Sequence, residues 1–181
     1  MPHPYRDWVV DTGSLTSRLR RRCPGEFRVR LLGQAWARPT LEEAWWLDIP
    51  RRHLAWVREV ALCCADRPLI LARTVIPRAS LGRGNEALRH LGARPLGELL
   101  FRGAGSRREP MEVVCLRRDD RLARRLGPAI GVSSLQGCWT RRVVHYLHGY
   151  PLLVAEVFLP SLFVAQDRGR ENASIRERAS A

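Results

Sequence analysis

The chain has 181 residues, a length that suits one domain with a hydrophobic core of its own. Hydrophobic residues make up 45% of the sequence and charged residues 27%, which is an ordinary globular composition and excludes a fibrous or disordered protein. The sequence has no apolar run of membrane-spanning length and no signal peptide at its start, so we expect a cytoplasmic protein without a membrane span.

The net charge of +13 is high for a domain of this size, and all 31 basic residues are Arg. Such a charge is typical of nucleic-acid binding. A dedicated DNA-binding protein normally combines Lys with Arg, however, so the exclusive use of Arg indicates a compositional bias that places Arg on solvated faces. We therefore predict no nucleic-acid partner, and an RNA-binding accessory protein remains an alternative on charge alone. A basic surface would also attract a small anionic substrate.

The cysteines and histidines do not follow the spacing of a metal site. An odd number of cysteines without C-x-x-C spacing predicts neither a disulfide framework nor a zinc site. We expect Cys63 and Cys64 to be small buried hydrophobic residues in a reducing compartment. The histidines are scattered, and no motif for a metal or a cofactor is present.

The first forty residues predict one helix and one strand. The first ten residues are expected to form a loose lead-in. Ser14 is placed to cap a short helix over 14–23. Residues 27–37 begin with apolar residues and Arg in alternation, which predicts a strand with one face in water, and Gly33 indicates a bulge.

The middle of the chain contains the clearest hairpin signal. Thr40 and Glu43 form a capping-box motif before a short helix or turn. Two apolar, β-branched segments at 56–64 and 69–77 follow, separated by turn residues at 65–68. The later elements are a helix at 85–91 capped by Asn85, a helix from Pro95, a strand at 111–116, a helix at 118–127, a strand at 138–147, a His148-Gly149 turn and a strand at 151–160.

These elements predict an α+β fold in which about six strands form a single antiparallel sheet, with the helices covering one face. Residues 1–164 would form this domain. Residues 165–181 have almost no large apolar side chains and are expected to be a disordered tail.

Three charged residues lie where the strand pattern demands apolar ones. Glu156 is the one charged residue in the segment PLLVAEVFLP. A carboxylate there costs several kcal/mol, as an order of magnitude, unless it is paired or neutralised. Arg58 and Arg73 occupy equivalent places in the two arms of the hairpin. They could form a buried Arg–Glu pair that closes the core, or extend to the edge of the sheet. They could instead line a polar pocket that binds a small anion with a hydroxyl group.

Three segments, WVREVALCCADRPLILARTVIP, RPLGELLF and YPLLVAEVFLPSLF, resemble the chorismate lyase family of ubiquinone biosynthesis. Their motifs occur in the family's order and at comparable spacings, and the resemblance runs from about Val9 to Phe163. The stretch 117–136 is longer and more basic than in the typical enzyme, and the Arg-rich tail has no family counterpart. The resemblance implies an enzyme with helical flaps over an enclosed site, and we expect this protein to be a monomer. This enzyme would convert chorismate to 4-hydroxybenzoate and pyruvate without metal or cofactor.

The resemblance also implies roles for individual residues. Arg58 would bind the ring carboxylate of chorismate, and backbone groups of Leu15 and Leu96 would add contacts to the substrate. Glu156 would contact the ring hydroxyl and is the candidate catalytic base. Arg73 would bind the enolpyruvyl carboxylate. Catalysis would therefore depend on Glu156, Arg58 and Arg73.

The same fold also occurs as the small-molecule effector-binding half of transcription regulators, which sense a ligand and do not convert it. Such regulators carry an amino-terminal winged-helix domain. Here only about 25 residues precede the first predicted strand, too few for a second domain, so the enzyme is the preferred interpretation.

Overall fold

The computed structural model describes residues 1–23, 25–82, 84–102 and 106–164. The α-helices of these ranges are α1 (His3–Val9), α2 (Leu15–Arg22), α3 (Leu41–Trp46), α4 (Gly97–Arg102) and α5 (Arg121–Leu126). The strands are β1 (Phe27–Ala37), β2 (Ala55–Cys64), β3 (Arg67–Pro77), β4 (Arg107–Arg108), β5 (Glu112–Cys115), β6 (Trp139–Leu147) and β7 (Tyr150–Phe158). Short 3₁₀ helices occupy Arg78–Leu81, Glu86–His90 and Pro128–Ile130. The predicted tail, 165–181, lies outside the described residues.

All the strands belong to one antiparallel sheet in the order β1-β2-β3-β7-β6-β4, and β5 also pairs with β6. The predicted α+β fold with a single antiparallel sheet is therefore confirmed. The sheet has seven strands where we expected about six. The added strand is β4, which has two residues and is too short to leave an alternating pattern in the sequence.

Helices cover both faces of the sheet, so the prediction that they cover one face is wrong. Strand β2 shows why, because its side chains are apolar on both faces: Val60 and Leu62 lie on what we call the first face, and Val57 and Ala61 on the second. A strand that is apolar on both sides needs cover on both sides. Helices α1, α2 and α4 pack on the first face, and α5 and the end of α3 pack on the second.

The amino terminus is helical, which corrects the expected loose lead-in. Trp8 and Val9 of α1 are buried and pack with Leu19 of α2. The Arg18 guanidinium lies 3.9 Å from the centre of the Trp8 ring. Burial of this aromatic side chain supplies the free energy that orders a helix too short to be stable alone.

The predicted caps are present at the next two helices. The Ser14 hydroxyl accepts a hydrogen bond from the Ser17 amide, at 3.3 Å. Thr40 and Glu43 form the reciprocal capping box at α3. These motifs depend on residues three apart in sequence, and for this reason they are predictable without tertiary information.

The predicted cap at Asn85 is wrong. Its side chain makes no capping hydrogen bond, and the segment forms a 3₁₀ helix, Glu86–His90. Asn85 is buried and donates from Nδ2 to the Leu147 carbonyl, at 3.0 Å, while its Oδ1 lies 2.8 Å from His148 Nδ1. Asn85 therefore bonds to residues that are distant in sequence and does not cap its own helix.

Cys23 and Cys64 form a disulfide, with 5.7 Å between their Cα atoms. The expectation that Cys64 is a small buried hydrophobic residue is therefore wrong, whereas Cys63 is buried and free. The pairing joins the end of α2 to the end of β2, 41 residues apart in sequence, and no sequence spacing announces such a pair. The bond fixes α2 on the first face of the sheet.

The disulfide predicts a stability difference that depends on redox conditions. Because it closes a loop of this length, Cys64→Ser is expected to lower the free energy of unfolding by about 2–4 kcal/mol under oxidising conditions. Denaturant unfolding would measure the loss, and a reducing agent would bring wild type and variant together. Cys115→Ser is the matched control, because Cys115 is exposed and free. Equal stabilities of Cys64→Ser and wild type in oxidising buffer would contradict this prediction.

None of the helices in the described ranges has the length and apolar character that crossing a bilayer requires.

Candidate active site

A cavity of about 70 Å³ lies between the first face of the sheet and a cover made by α2 and the segment 95–100. Most of its lining is apolar. Its polar and charged lining includes Arg58, Thr74, Arg108, Arg141, His145 and Glu156. A cavity that admits benzene measures about 150 Å³, so a ring-sized ligand enters this space only when the cover moves.

Arg58 brings an uncompensated positive charge into this cavity. Only 2% of the residue is exposed. Its Nε donates to the Gly92 carbonyl at 2.9 Å and its Nη2 to the Arg94 carbonyl at 2.8 Å. Within the described ranges no carboxylate lies within salt-bridge distance of the guanidinium. Burial accordingly lowers the pKa of Arg58 to about 10. The site thus favours an anionic ligand, which would restore the charge balance.

Glu156 is half-buried in the same cavity and pairs with a residue that the sequence analysis missed. It lies opposite Arg141 in the β6–β7 pairing, and Arg141 Nε donates to Glu156 Oε2. Arg141 is buried and also donates from Nη1 to the Asp11 carbonyl, at 2.5 Å. The predicted alternative of a core pair between Glu156 and Arg58 or Arg73 is therefore wrong. A signal for Arg141 was available, because it lies between the apolar residues Trp139 and Val143 of one strand face.

Leu15 and Leu96 both line the cavity, as the family resemblance implied. Leu15 is the first residue of α2, where backbone N–H groups have no acceptor within the helix. Leu96 precedes α4, and its carbonyl accepts from the amides of Leu99 and Leu100. Leu15 therefore brings a backbone N–H without a helical acceptor to the cavity lining, whereas the Leu96 carbonyl is already bonded to amides of α4.

Arg73 lies on the second face of the sheet and does not line this cavity. In the β2–β3 pairing Arg58 is opposite Thr74, so that Glu59 is opposite Arg73. The Arg73 guanidinium is 2.6 Å from Glu43 Oε1 and 2.6 Å from Glu59 Oε1, and the residue is only 4% exposed. The two carboxylates account for its charge, and its position does not support contact with a ligand bound at Arg58.

A bulge in the hairpin explains why Arg58 and Arg73 are separated. Near the turn, Cys63 pairs with Pro68, whereas Leu62 pairs with Ile70, so one extra residue enters β3. A slip of one residue exchanges the two faces of a strand. Without the bulge Arg73 would lie directly opposite Arg58, on the same face.

Arg108 and His145 also belong to the polar lining and were not predicted. Arg108 is exposed and donates to the Thr12 carbonyl at 2.9 Å. It comes from β4, whose two residues carry no sequence pattern. Three guanidinium groups and one carboxylate thus line the cavity, which suits a ligand with two negative charges and a hydroxyl group. The described residues include no group of three or more His, Cys, Asp and Glu side chains placed to hold a metal ion.

The fold is similar to that of a solved protein structure. A transcriptional regulator of the GntR family from Bacillus cereus is similar, with a TM-score of 0.55, 14% sequence identity, and coverage of 76% of this chain and 94% of that one. At this identity the likeness concerns the fold alone.

Sequence comparison identifies the family. A probable chorismate pyruvate-lyase from Methylococcus capsulatus is 42% identical over 157 residues, which cover 86% of this chain and 94% of that protein. A probable chorismate pyruvate-lyase from Halorhodospira halophila is 43% identical over 152 residues, covering 84% and 79%. The sequence profile described as chorismate lyase matches residues 1–168. This chain therefore belongs to the chorismate lyase family.

Proposed function

We propose that this protein is a chorismate pyruvate-lyase, which converts chorismate to 4-hydroxybenzoate and pyruvate, the first committed step of ubiquinone biosynthesis. The observation that carries the proposal is the buried guanidinium of Arg58, which has no carboxylate partner among the described residues and shares an apolar cavity with Glu156. Family membership supports the same reaction.

The ring carboxylate of chorismate binds at Arg58. The two backbone carbonyls occupy the Nε–Nη2 edge of the guanidinium. The remaining edge, Nη1 with the second Nη2 hydrogen, matches a carboxylate in a two-bond fork. Leu15 and Leu96 line the same cavity, and their backbone groups add contacts to the substrate in this proposal.

Glu156 contacts the ring hydroxyl and accepts the proton that leaves the hydroxyl-bearing carbon. As this C–H bond breaks, its electrons form the new ring double bond and the neighbouring C–O ether bond breaks. Enolpyruvate departs and becomes pyruvate after protonation, and the ring becomes aromatic. Arg141 holds the Glu156 carboxylate in place, so the base is oriented before the substrate arrives.

The enolpyruvyl carboxylate binds at Arg108 in this proposal, and not at Arg73 as the resemblance suggested. Arg108 lines the cavity, whereas Arg73 is bound by Glu43 and Glu59 on the other face of the sheet. A cation at the leaving group stabilises the negative charge that develops on the enolpyruvate oxygen.

The direct test of the proposed function is ultraviolet absorbance of the purified protein mixed with chorismate. We expect an aromatic phenol and pyruvate to form in equal amounts. Binding of 4-hydroxybenzoate without release of pyruvate would instead support the second candidate function, an effector-binding domain. That candidate is kept because the chain shares its fold with a GntR-family transcriptional regulator.

Substitution of Arg58 tests the carboxylate site. Arg58→Lys keeps the positive charge but loses the fork, so 4-hydroxybenzoate should bind more weakly by about 1.5–3 kcal/mol, the range for a charged hydrogen bond. Isothermal titration calorimetry measures the loss. Arg94→Lys is the matched control, since the Arg94 side chain is exposed and only its carbonyl contacts Arg58. Unchanged affinity of Arg58→Lys would remove the assignment.

The proposal includes a cytoplasmic monomer with no nucleic-acid partner. The arginines that line the cavity have a role toward a small anion, and a basic surface attracts such an anion without a polyanionic partner. Analytical ultracentrifugation should give the mass of one chain, and the protein should pass a DNA or RNA column at physiological salt. A dimer or salt-sensitive retention on nucleic acid would contradict this part.

A further inference from the structure

His145 is a polar group of the cavity that the proposed mechanism has not used. It lies on β6 on the same face as Arg141, opposite Leu152 of β7 and opposite Arg108 of β4. The ring is half-buried and lines the cavity. Within the described residues neither ring nitrogen has a hydrogen-bond partner in the protein. An imidazole that is not held by the protein has its donor and acceptor available to a ligand.

The imidazole is neutral at physiological pH. Burial lowers the pKa of His145 to about 4, and the charges of Arg108 and Arg141 add to that effect, whereas Glu156 opposes it. A neutral ring offers one N–H donor and one acceptor nitrogen. It also leaves Arg141 as the cation that contacts the Glu156 carboxylate.

The register of the sheet shows which part of the substrate His145 would meet. Arg58, Thr74, Val154 and Val143 lie in one row across the strands. Glu156 and Arg141 lie in the next row on one side, whereas His145 and Arg108 lie in the next row on the other side. A ring that extends from Arg58 toward Glu156 therefore has His145 and Arg108 at its flank. In chorismate the ether group is attached beside the hydroxyl-bearing carbon, and a ring turned with this edge toward β6 and β4 places the ether group at that flank.

We propose that His145 is a substrate-specificity residue that hydrogen-bonds the enolpyruvyl group beside Arg108. This inference rests on the proposed function, because it assumes the ring orientation set by Arg58 and Glu156. Arg108 supplies the charge for the carboxylate of that group, and the His145 N–H supplies a directional bond to its carboxylate or ether oxygen.

Two ligands distinguish contacts to the ring from contacts to the side group. 4-Hydroxybenzoate has only the ring carboxylate and the hydroxyl, whereas 3-(carboxymethoxy)-4-hydroxybenzoate adds an ether-linked carboxylate. His145→Leu should weaken binding of the second ligand about tenfold, the scale for a hydrogen bond to a charged group, and change binding of the first less than twofold. His145→Gln, which keeps a donor, should recover most of the loss. Calorimetry with both ligands gives the comparison.

A measurement on the wild-type protein makes the test independent of how the variants fold. The ¹⁵N resonances of the His145 ring should shift when the ether-carboxylate ligand binds and stay nearly constant with 4-hydroxybenzoate. Equal losses for the two ligands, no loss for either, or no ¹⁵N shift would overturn the proposal. Failure of the proposed function would look different, since wild type would then release no pyruvate from chorismate whatever the binding data show.

Discussion

Glu156→Gln is expected to lower the rate of pyruvate release from chorismate by about 100-fold or more, the usual scale of general-base catalysis. The amide keeps the size of the side chain and its oxygen can still accept from Arg141 Nε, but it cannot take up a proton. Affinity for 4-hydroxybenzoate should change much less, because the amide still bonds the ring hydroxyl. Steady-state kinetics and product titration on the same preparation measure both quantities.

Stability supplies the control for this variant. Arg141 retains its bond to the Asp11 carbonyl, so we expect Glu156→Gln to stay folded and to melt as a single transition. A folded variant with near-normal turnover would show that Glu156 orients the hydroxyl and is not the base. A variant that loses turnover and is also about 3–5 kcal/mol less stable would show that the Glu156–Arg141 pair has a structural role in the core.

Arg73→Met is expected to lower the free energy of unfolding by about 3–5 kcal/mol, because it leaves the buried Glu43 carboxylate without a cation and Glu59 with the exposed Arg125 alone. Glu43 and Glu59 would both lose a 2.6 Å contact. Arg125→Met is the matched control, since Arg125 also pairs with Glu59 but its side chain is 55% exposed. An exposed pair of this kind contributes about 0–1 kcal/mol. A stable Arg73→Met protein that has lost turnover would show that Arg73 takes part in the reaction.

The pH dependence of stability gives a second measurement on Arg73. Burial alone would raise the pKa of Glu43, but hydrogen bonds and charge from Arg73, with help from Thr40, outweigh it and hold that pKa below 4.5. A lowered folded-state pKa stabilises the protein above the unfolded value, and this stabilisation is lost as the pH falls through the folded value. Arg73→Met should therefore lose less stability on acidification below pH 4.5 than wild type does.

Local patterns predicted much of this fold. The capping box at Thr40 and Glu43 and the strands around Arg58 and Glu156 are correct because period and cap chemistry depend on neighbours in sequence. Arg58 and Glu156 could be singled out because a charge among apolar neighbours is visible without a structure, and both do lie at one cavity.

The predictions that were wrong or missing concern features that depend on strand register and on partners distant in sequence. The face on which Arg73 lies is decided by one extra residue in β3, which no periodicity in the hairpin reveals. The disulfide joins residues far apart in sequence. Arg108 reaches the cavity from a strand of two residues. Tertiary contacts alone determine each of these features.

The two carbonyls that hold Arg58, from Gly92 and Arg94, belong to the same loop that carries Leu96 to the edge of the cavity. The loop cannot swing outward without cutting both hydrogen bonds to the guanidinium. Outward movement of this part of the cover and loss of the two backbone bonds that orient Arg58 are consequently one event. A substitution that loosens this loop is therefore expected to weaken the affinity for 4-hydroxybenzoate and to speed its release.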